Sequence, residues 1–327
     1  MKTYGKIIGV GSYLPEKVIT NDDISKIVDT SDEWIKSRTG ICERRLADEK
    51  TSTSMLALNA AKAAISDAKI DPKKIDLIIV ATCTPDMQFP STACILQSKL
   101  GLNNIPCFDI SAACSGFNYA ITVANSFIIS KQAKTILVVG ADTLAKYLDW
   151  TDRGTCILFG DGAGAVVMEA ANDGSGVLAS VLGAEGSGGH LLTFRGGGSI
   201  GPMNRVLIDE KEYCIKMKGS EVFKFAVRVL EDGTRLVLKK AKLKIPDINL
   251  LIPHQANIRI IDHAIKKLGL SKENVYVNLQ KYGNTSAASI PIAIFEAKQE
   301  GRIKSGDIVV IVGFGAGLTY GANLIKF

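Results

Sequence analysis

Residues 74–102 read KIDLIIVATCTPDMQFPSTACILQSKLGL, and residues 246–270 read PDINLLIPHQANIRIIDHAIKKLGL. In each stretch an aspartate precedes an apolar run of strand length, and a helical pattern follows that closes on Leu-Gly-Leu. Two copies of the same order of elements are what an internal duplication produces. Strands that alternate with helical patterns predict an α/β fold.

The same alternation extends along the chain and predicts two halves. Further strand-like runs occur at residues 105–112, 134–142, 155–170 and 307–325, and further helical patterns at 51–68, 115–130 and 285–301. A length of 327 residues is about twice that of a common domain. The turn cluster AANDGSG separates the copies, so we expect one half at residues 1–172 and a second at residues 173–327.

Composition excludes several classes of protein. Apolar stretches such as DLIIVAT and DIVVIVGFG break after five or six residues, far short of the roughly 20 that a membrane helix needs. The first residues, MKTYGKIIGVGSYLP, predict a strand and not a signal peptide. The seven cysteines are odd in number and include no C-x-x-C pair, which favours a reducing cytoplasm. Three histidines without a Cys/His cluster give no support to a zinc site.

The charge of the chain bears on its partners. A formal net charge of +6 favours an acidic partner. The sequence has neither an aromatic-basic RNA motif nor a basic recognition helix, so we expect no nucleic acid partner. Gly196, Gly198 and Gly201 match the spacing of a dinucleotide-binding loop, but Pro202 follows at once and argues against that site.

Cys114 lies in DISAACSGF, residues 109–117, where a strand-like run meets a helical pattern. The N-terminus of a helix carries unpaired N–H groups and a partial positive charge, which stabilise a thiolate. The small neighbours of Cys114 also permit close approach of a substrate. Cys114 is therefore a candidate nucleophile, and an inert core cysteine is the alternative.

His254 in LLIPHQAN and Asn284 in YGNTSAAS lie at two further junctions of a strand and a helix. A histidine near a helix N-terminus tends to stay neutral, and it can donate a hydrogen bond or accept a proton. A structural histidine and a helix-capping asparagine are the alternatives. Because α/β sheets build their sites at the carboxyl ends of strands, we expect the three side chains to meet.

Six motifs make the sequence similar to the β-ketoacyl-acyl-carrier-protein synthase III family of the thiolase superfamily, in the order found there. They are DEWIKSRTGICERR (32–45), DISAACSGF (109–117), DRGTCILFGDGAGAVV (152–167), PHQANIRI (253–260), GNTSAAS (283–289) and GFGAGLTYG (313–321). The resemblance implies a duplicated, thiolase-like fold of α-β-α-β-α layers. It also implies a catalytic triad of Cys114, His254 and Asn284, with an oxyanion hole formed by backbone N–H groups of Cys114 and Gly315.

The resemblance further implies a decarboxylative Claisen condensation of an acyl-CoA primer with malonyl-acyl-carrier-protein, through an acyl-cysteine, that initiates fatty-acid synthesis. Acyl-CoA is a substrate in this reaction, and neither a cofactor nor a metal is implied. Trp34 and Arg153 are implied to stack on the adenine of CoA, Arg38 to lie near the pyrophosphate, and Asn257 to lie along the pantetheine. Phe89 is implied to close the acyl pocket of the partner in a homodimer.

Basic residues indicate where an acidic carrier protein could dock. Arg259 and Lys266 fall near one face of a predicted helix, Lys267 flanks them, and Lys224 lies on the preceding helix. A solvated helix face explains the same charges without any partner.

Residue chemistry separates some sister families. Chain-elongating synthases carry a second histidine where this chain has Asn284, and degradative thiolases need a second cysteine near the C-terminus, but no cysteine follows Cys214. Plant-type polyketide synthases share the Cys-His-Asn set. A specialised ketide synthase of the same fold, an acyl-CoA thioesterase or hydrolase, and a non-catalytic acyl-CoA sensor are the alternatives, and the length of the primer stays open.

Overall fold

The computed structural model describes residues 2–202, 208 and 210–327. The strands in this part of the chain are β1 (Tyr4–Tyr13), β2 (Val18–Thr20), β3 (Glu43–Arg45), β4 (Leu77–Ala81), β5 (Cys107–Ile110), β6 (Thr135–Asp142), β7 (Gly162–Ala171), β8 (Gly176–Ala184), β9 (Leu192–Thr193), β10 (Lys216–Met217), β11 (Leu250–Pro253), β12 (Ile308–Gly315) and β13 (Thr319–Lys326). The described helices are α1 (Asn21–Ser25), α2 (Asp32–Thr39), α3 (Thr53–Ala68), α4 (Thr92–Lys99), α5 (Gly116–Ile129), α6 (Arg153–Cys156), α7 (Gly219–Ala241), α8 (Ile258–Leu268), α9 (Leu279–Tyr282) and α10 (Ser289–Gln299).

The first sheet has five strands in the order β1-β7-β6-β4-β5. β4 runs parallel to β5 and β6, whereas β7 is antiparallel to β6 and to β1. Helices cover both faces, because α3 and α4 pack on one side and α5 and α10 pack on the other. Every residue of β4 and β6 is buried as a result, which explains the nearly continuous apolar runs that these strands form in the sequence.

The second sheet has four strands in the order β11-β12-β13-β8. β11 is parallel to β12, and the other pairs are antiparallel. One face of this sheet packs against α5 and α10, and the other packs against α7 and α8. The layers therefore follow as α3/α4, first sheet, α5/α10, second sheet and α7/α8. This arrangement confirms the α-β-α-β-α fold predicted from the sequence.

The two copies of the sequence repeat fold alike. β4 leads to α4, and β11 leads to α8. Each helix is followed by a glycine with a left-handed φ of +69°, Gly101 after α4 and Gly269 after α8. Glycine ends a helix in this way because it has no Cβ to clash in the left-handed region. The two Leu-Gly-Leu sequences are thus the ends of equivalent helices.

One strand is shorter than the sequence predicts. Residues 155–170 form one apolar run, but α6 occupies its start and β7 begins only at Gly162. Asp152 caps α6, since its carboxylate accepts a hydrogen bond of 2.8 Å from the N–H of Gly154. The prediction of a strand was therefore wrong for residues 155–161.

Candidate active site

The three candidate catalytic side chains line one cavity of about 220 Å³. Cys114 follows β5 in a 3₁₀ turn at the start of α5, His254 directly follows β11, and Asn284 precedes α10. Gly315, the last residue of β12, lines the same cavity. The structure thus brings together the four residues that the sequence singled out.

The turns that precede α5 and α10 share an unusual backbone. Ala113, next to Cys114, has a φ of +46°, and Ser286, close to Asn284, has a φ of +52°. A residue with a Cβ pays roughly 1–2 kcal/mol for a left-handed conformation, and such outliers cluster at functional sites. Both turns are 3₁₀ turns that contact each other, so the starts of the two central helices meet at the cavity.

Cys114 is 7% exposed, and burial raises the pKa of its thiol to about 12. A hydrogen bond with Ser286 acts in the opposite direction, while the negative charge of Asp142 adds to the increase. The sequence predicted a thiolate stabilised by the helix N-terminus. Burial opposes ionisation, because the charged form loses its contact with water, and it is the largest cause of the raised pKa. The resting side chain is therefore a neutral thiol.

Gly315 comes very close to the nucleophile. A Cβ built on Gly315 would lie 2.6 Å from the backbone nitrogen of Cys114, a distance that real Cβ atoms do not reach. Only glycine permits this approach, since any side chain would push β12 away from Cys114. The end of β12 is thereby held against the turn that carries the thiol.

His254 is 1% exposed, and burial lowers the pKa of its imidazole to about 3. The ring packs edge-on against Phe314, with centroids 5.1 Å apart. Its Nδ1 lies 2.6 Å from the hydroxyl oxygen of Ser289. The imidazole is therefore neutral near pH 7, as the sequence predicted.

Asn284 is fixed at both its backbone and its side chain. Its N–H donates to the carbonyl of Leu158 at 2.8 Å, and its carbonyl accepts from the N–H of Gly160 at 3.0 Å. Its Oδ1 accepts a hydrogen bond of 2.9 Å from the N–H of Ser286. This bond to the N–H two residues on forms an Asx turn, whereas Thr285 and Ala288 hold the N-cap positions of the 3₁₀ turn and of α10, so the helix-capping alternative was wrong. Asn284 also lines the cavity. The bond to Oδ1 leaves its Nδ2 as the end available to a ligand.

A second, smaller cavity of about 80 Å³ adjoins Cys114 and is almost entirely apolar. Its apolar lining includes Leu144, Phe159, Leu192, Phe194 and Ile215. The ring of Phe194 packs against that of Tyr147 at an interplanar angle of 46°, with centroids 4.5 Å apart, and this contact holds the wall in place.

Phe89 does not belong to the described lining of either cavity. It is 85% exposed, in the loop between β4 and α4. Packing in the core of its own chain is therefore excluded for this side chain.

The other end of the larger cavity carries the residues implied for CoA. Trp34, Arg38, Arg153 and Asn257 all line it. The guanidinium of Arg153 lies 4.7 Å from the centroid of the Trp34 ring, and that of Arg38 lies 5.9 Å from it. Arg153 also donates to the carbonyl of Asp29 at 2.9 Å. Arg153 thus covers one face of the indole.

The basic residues implied for carrier docking are all exposed. Lys224 is on α7, and Arg259, Lys266 and Lys267 are on α8, which packs against α7. Arg259 lies over the ring of Phe223, 5.7 Å from its centroid, and Phe223 lines the larger cavity. Arg259 therefore contacts a residue that lines the cavity.

Several residues of the site were not assigned from the sequence. Ser286 and Ser289 stand in the quoted motif GNTSAAS, which was the available signal for them. Asp142 accepts hydrogen bonds from the N–H groups of Cys83 at 2.8 Å and Ala287 at 3.3 Å. It thereby joins the end of β4 to the turn before α10. An aspartate at the end of the apolar run KTILVVGAD (134–142) was the available signal for it.

Residues 2–202, 208 and 210–327 contain neither a metal-binding cluster nor a membrane-spanning helix. No group of three His, Cys, Asp or Glu side chains there could hold a metal ion. In the same part of the chain, no helix has the length and apolar character to cross a bilayer. All seven cysteines are free thiols.

The sequence matches known proteins over nearly its whole length and two family models over about half of it. Residues 108–186 match the family model described as 3-oxoacyl-[acyl-carrier-protein (ACP)] synthase III, and residues 238–327 match the model of its C-terminal part. The β-ketoacyl-[acyl-carrier-protein] synthase III of Caldanaerobacter subterraneus subsp. tengcongensis is 53% identical, over 98% of this chain and 97% of that protein. The synthase III of Aquifex aeolicus is also 53% identical, over 98% of this chain and 99% of that protein.

Solved structures also match the chain over nearly its whole length. The crystal structure of 3-oxoacyl-[acyl-carrier-protein] synthase III from Aquifex aeolicus superposes with a TM-score of 0.92 at 52% identity, covering 99% of this chain and 100% of the other. The priming β-ketosynthase of the R1128 polyketide pathway superposes with a TM-score of 0.91 at 32% identity, covering 99% and 96%. The chain therefore belongs to the 3-oxoacyl-[acyl-carrier-protein] synthase III family.

Proposed function

We propose that this protein condenses an acyl-CoA primer with malonyl-acyl-carrier-protein and so initiates fatty-acid synthesis. The product is a 3-oxoacyl-acyl-carrier-protein. The observation that carries the proposal is the single cavity lined by Cys114, His254 and Asn284, with Trp34 and Arg153 at its other end, in a chain of this family.

In the first half-reaction the sulfur of Cys114 attacks the thioester carbon of the acyl-CoA. A carbon–sulfur bond to Cys114 forms, the bond to the CoA sulfur breaks, and the thiol proton ends on the CoA that leaves. The backbone N–H groups of Cys114 and Gly315 stabilise the oxyanion of the tetrahedral intermediate, and the close approach of Gly315 supports this role. One such donor typically lowers the barrier by about 2.7–4 kcal/mol.

In the second half-reaction malonyl-acyl-carrier-protein loses carbon dioxide. The electron pair of the broken carbon–carbon bond moves into an enolate, whose oxygen needs neutral hydrogen-bond donors. His254 and Asn284 supply them. Burial keeps the imidazole of His254 neutral, and the bond from Ser286 to Oδ1 leaves the Nδ2 donors of Asn284 free. The enolate carbon then attacks the acyl group, Cys114 leaves as a thiolate, and a proton from solvent restores the thiol.

CoA lies along the larger cavity in this proposal. Trp34 and Arg153 hold its adenine, Arg38 lies near the pyrophosphate, and Asn257 contacts the pantetheine. An indole and a guanidinium both offer flat faces to a base, and arginine suits phosphate oxygens. The reaction uses acyl-CoA as a substrate, and it needs no cofactor for either half-reaction.

The acidic carrier protein docks on the basic surface formed by Lys224, Arg259, Lys266 and Lys267. Their exposure and the contact of Arg259 with a cavity residue support this placement. We also infer a homodimer in which Phe89 closes the acyl cavity of the partner subunit, supported by the 85% exposure of this large apolar side chain.

We further propose that the chain divides into thiolase-like halves at residues 1–172 and 173–327. The strands of the five-stranded sheet all lie in the first range, and those of the four-stranded sheet all lie in the second, which supports this division. Seven free cysteines support a place in the reducing cytoplasm.

The test is a complete reaction of the purified protein with acetyl-CoA and malonyl-acyl-carrier-protein. We expect release of CoA and carbon dioxide in equal amounts, together with a 3-oxoacyl-carrier product seen by mass spectrometry. Release of CoA that continues without malonyl-acyl-carrier-protein, and without a condensed product, would instead identify an acyl-CoA hydrolase.

A further inference from the structure

Ser289 is the first residue of α10, is 2% exposed, and places its hydroxyl oxygen 2.6 Å from Nδ1 of His254. We propose that Ser289 is a positioning residue that fixes His254 in the tautomer with its proton on Nε2. The inference rests on the proposed function, because it concerns the donor that His254 presents to the enolate.

The direction of this hydrogen bond follows from a count of donors. The N–H of Gln255 also reaches the Ser289 hydroxyl oxygen, at 3.4 Å. A backbone N–H can only donate, so the hydroxyl acts as acceptor in that contact. In the part of the chain that the structure describes, His254 Nδ1 and the Gln255 N–H are the recorded partners of this hydroxyl.

The hydroxyl proton therefore has one acceptor within reach, Nδ1 of His254. If Nδ1 carried the imidazole proton, the hydroxyl would receive two hydrogen bonds and its own buried proton would have no acceptor. A neutral imidazole with a bare Nδ1 holds its proton on Nε2. Ser289 thus keeps the proton on Nε2, so that His254 presents an N–H donor to the cavity.

The opposite tautomer would be harmful to the reaction. It would direct a lone pair of Nε2 toward the negative oxygen of the enolate and would repel it. The T-shaped contact of His254 with Phe314 restrains the ring plane, but a phenyl ring has no nitrogen or oxygen acceptor to bind the imidazole proton. Selection therefore depends on Ser289.

The kinetic test separates the two half-reactions in Ser289→Ala. Decarboxylation of malonyl-acyl-carrier-protein should fall by about 10- to 100-fold, the range expected when a buried polar group loses its partner. Acylation of Cys114 by acyl-CoA, measured as the first turnover of CoA release, should change less than about twofold, because Cys114 does not contact this hydroxyl. Ser289→Thr, which keeps a hydroxyl, should recover most of the decarboxylation rate.

The matched control is Thr234→Val, which removes another fully buried hydroxyl, one that donates to the carbonyl of Leu230 on α7. This variant should leave both half-reactions unchanged. Equal loss of both rates in Ser289→Ala would overturn the inference, since it would reveal a general structural role. Wild-type decarboxylation in Ser289→Ala would overturn it as well.

The tautomer of His254 can be observed directly by NMR. The chain has three histidines, so few ring-nitrogen signals need to be assigned. In protein labelled with ¹⁵N at histidine, the protonated and bare ring nitrogens give well-separated signals. We expect a bare, hydrogen-bonded Nδ1 for His254 in the wild type and a shifted Nδ1 signal in Ser289→Ala. A protonated Nδ1 in the wild type would refute the inference and leave the condensing activity intact, whereas a wild type without condensation would refute the proposed function.

Discussion

Cys83 and Cys114 line the same small apolar cavity, and burial raises the pKa of both thiols. Their partners differ. Cys83 donates its S–H to the carboxylate of Asp142 at 3.4 Å, whereas Cys114 lies against the backbone of Gly315. A carboxylate next to Cys83 opposes its ionisation. This difference in surroundings supports Cys114, and not Cys83, as the proposed acceptor of the acyl group.

We therefore expect Cys114→Ala to lose acyl transfer and Cys83→Ser to keep most of it. Serine at position 83 retains a donor for Asp142, so the end of β4 should stay in place. Intact-protein mass spectrometry after incubation with acyl-CoA measures the covalent acyl group directly. An acyl group that remains on Cys114→Ala would show that a different side chain is the nucleophile.

The pKa of about 12 for Cys114 predicts how its reactivity depends on pH. Below that pKa the thiolate fraction rises about tenfold for each pH unit, and the thiolate is the form that reacts. Alkylation of Cys114 by iodoacetamide should therefore accelerate throughout the range from about pH 6 to about pH 9. Peptide mass spectrometry follows Cys114 separately from the other cysteines. A rate that levels off near neutral pH would mean that the helix N-terminus, and not burial, controls this thiol.

The contact of Arg153 with Trp34 predicts movement on CoA binding. Their separation of 4.7 Å is too short for an adenine between them, because two stacked contacts need about 7 Å. Arg153→Ala should raise the KM for acyl-CoA by about tenfold and leave kcat within about twofold, since the adenine is remote from the thioester. An acyl-pantetheine without the nucleotide is the control, and both proteins should use it equally well. A similar loss with acyl-pantetheine would place Arg153 elsewhere along the substrate.

The cavity of about 80 Å³ next to Cys114 predicts a short primer. A benzene ring needs a cavity of about 150 Å³, so roughly half that volume suits an acyl chain of about two to four carbons. Acetyl-CoA and propionyl-CoA should react faster than octanoyl-CoA in a panel that measures CoA release. Leu144→Ala should extend the range toward longer chains, because it removes part of the wall. An octanoyl rate equal to the acetyl rate in the wild type would contradict this prediction.

Charge reversal on α8 tests carrier docking. Arg259→Glu should raise the KM for malonyl-acyl-carrier-protein by about five- to tenfold, and the effect should shrink at high salt because exposed charges are screened. Acylation by acyl-CoA should be unaffected. Lys62→Glu, an exposed position on α3, is the matched control for the change in net charge. Equal effects of the two substitutions would exclude a local docking role for Arg259.

The sequence pattern was sufficient to predict the α/β alternation and the three junctions that carry Cys114, His254 and Asn284, and the resemblance to the family supplied the order of the layers. Periodicity and the repeated Leu-Gly-Leu determine the elements, and catalytic residue types at strand ends mark the site. The contact between His254 and Ser289 was not predictable from local pattern, because it joins residues 35 positions apart on different elements. The wall residue Leu144 is an ordinary apolar residue in the sequence, so only packing reveals its place.

The burial of Cys114 was not predictable for a related reason. The helix N-terminus can be recognised in the sequence, since it follows from the small residues of DISAACSGF. The degree of burial cannot, because it depends on β12 and on the turn before α10, which are distant in the chain. Local chemistry was therefore visible and its dielectric surroundings were not.

The close approach of Gly315 to the Cys114 nitrogen also constrains when the enzyme becomes active during its synthesis. A ribosome releases Cys114 long before it releases β12, so the nascent thiol at first lacks the backbone that completes its surroundings. Acyl transfer must wait until the hairpin of β12 and β13 has emerged and docked. Unfinished chains therefore carry the thiol without the Gly315 N–H of the proposed oxyanion hole.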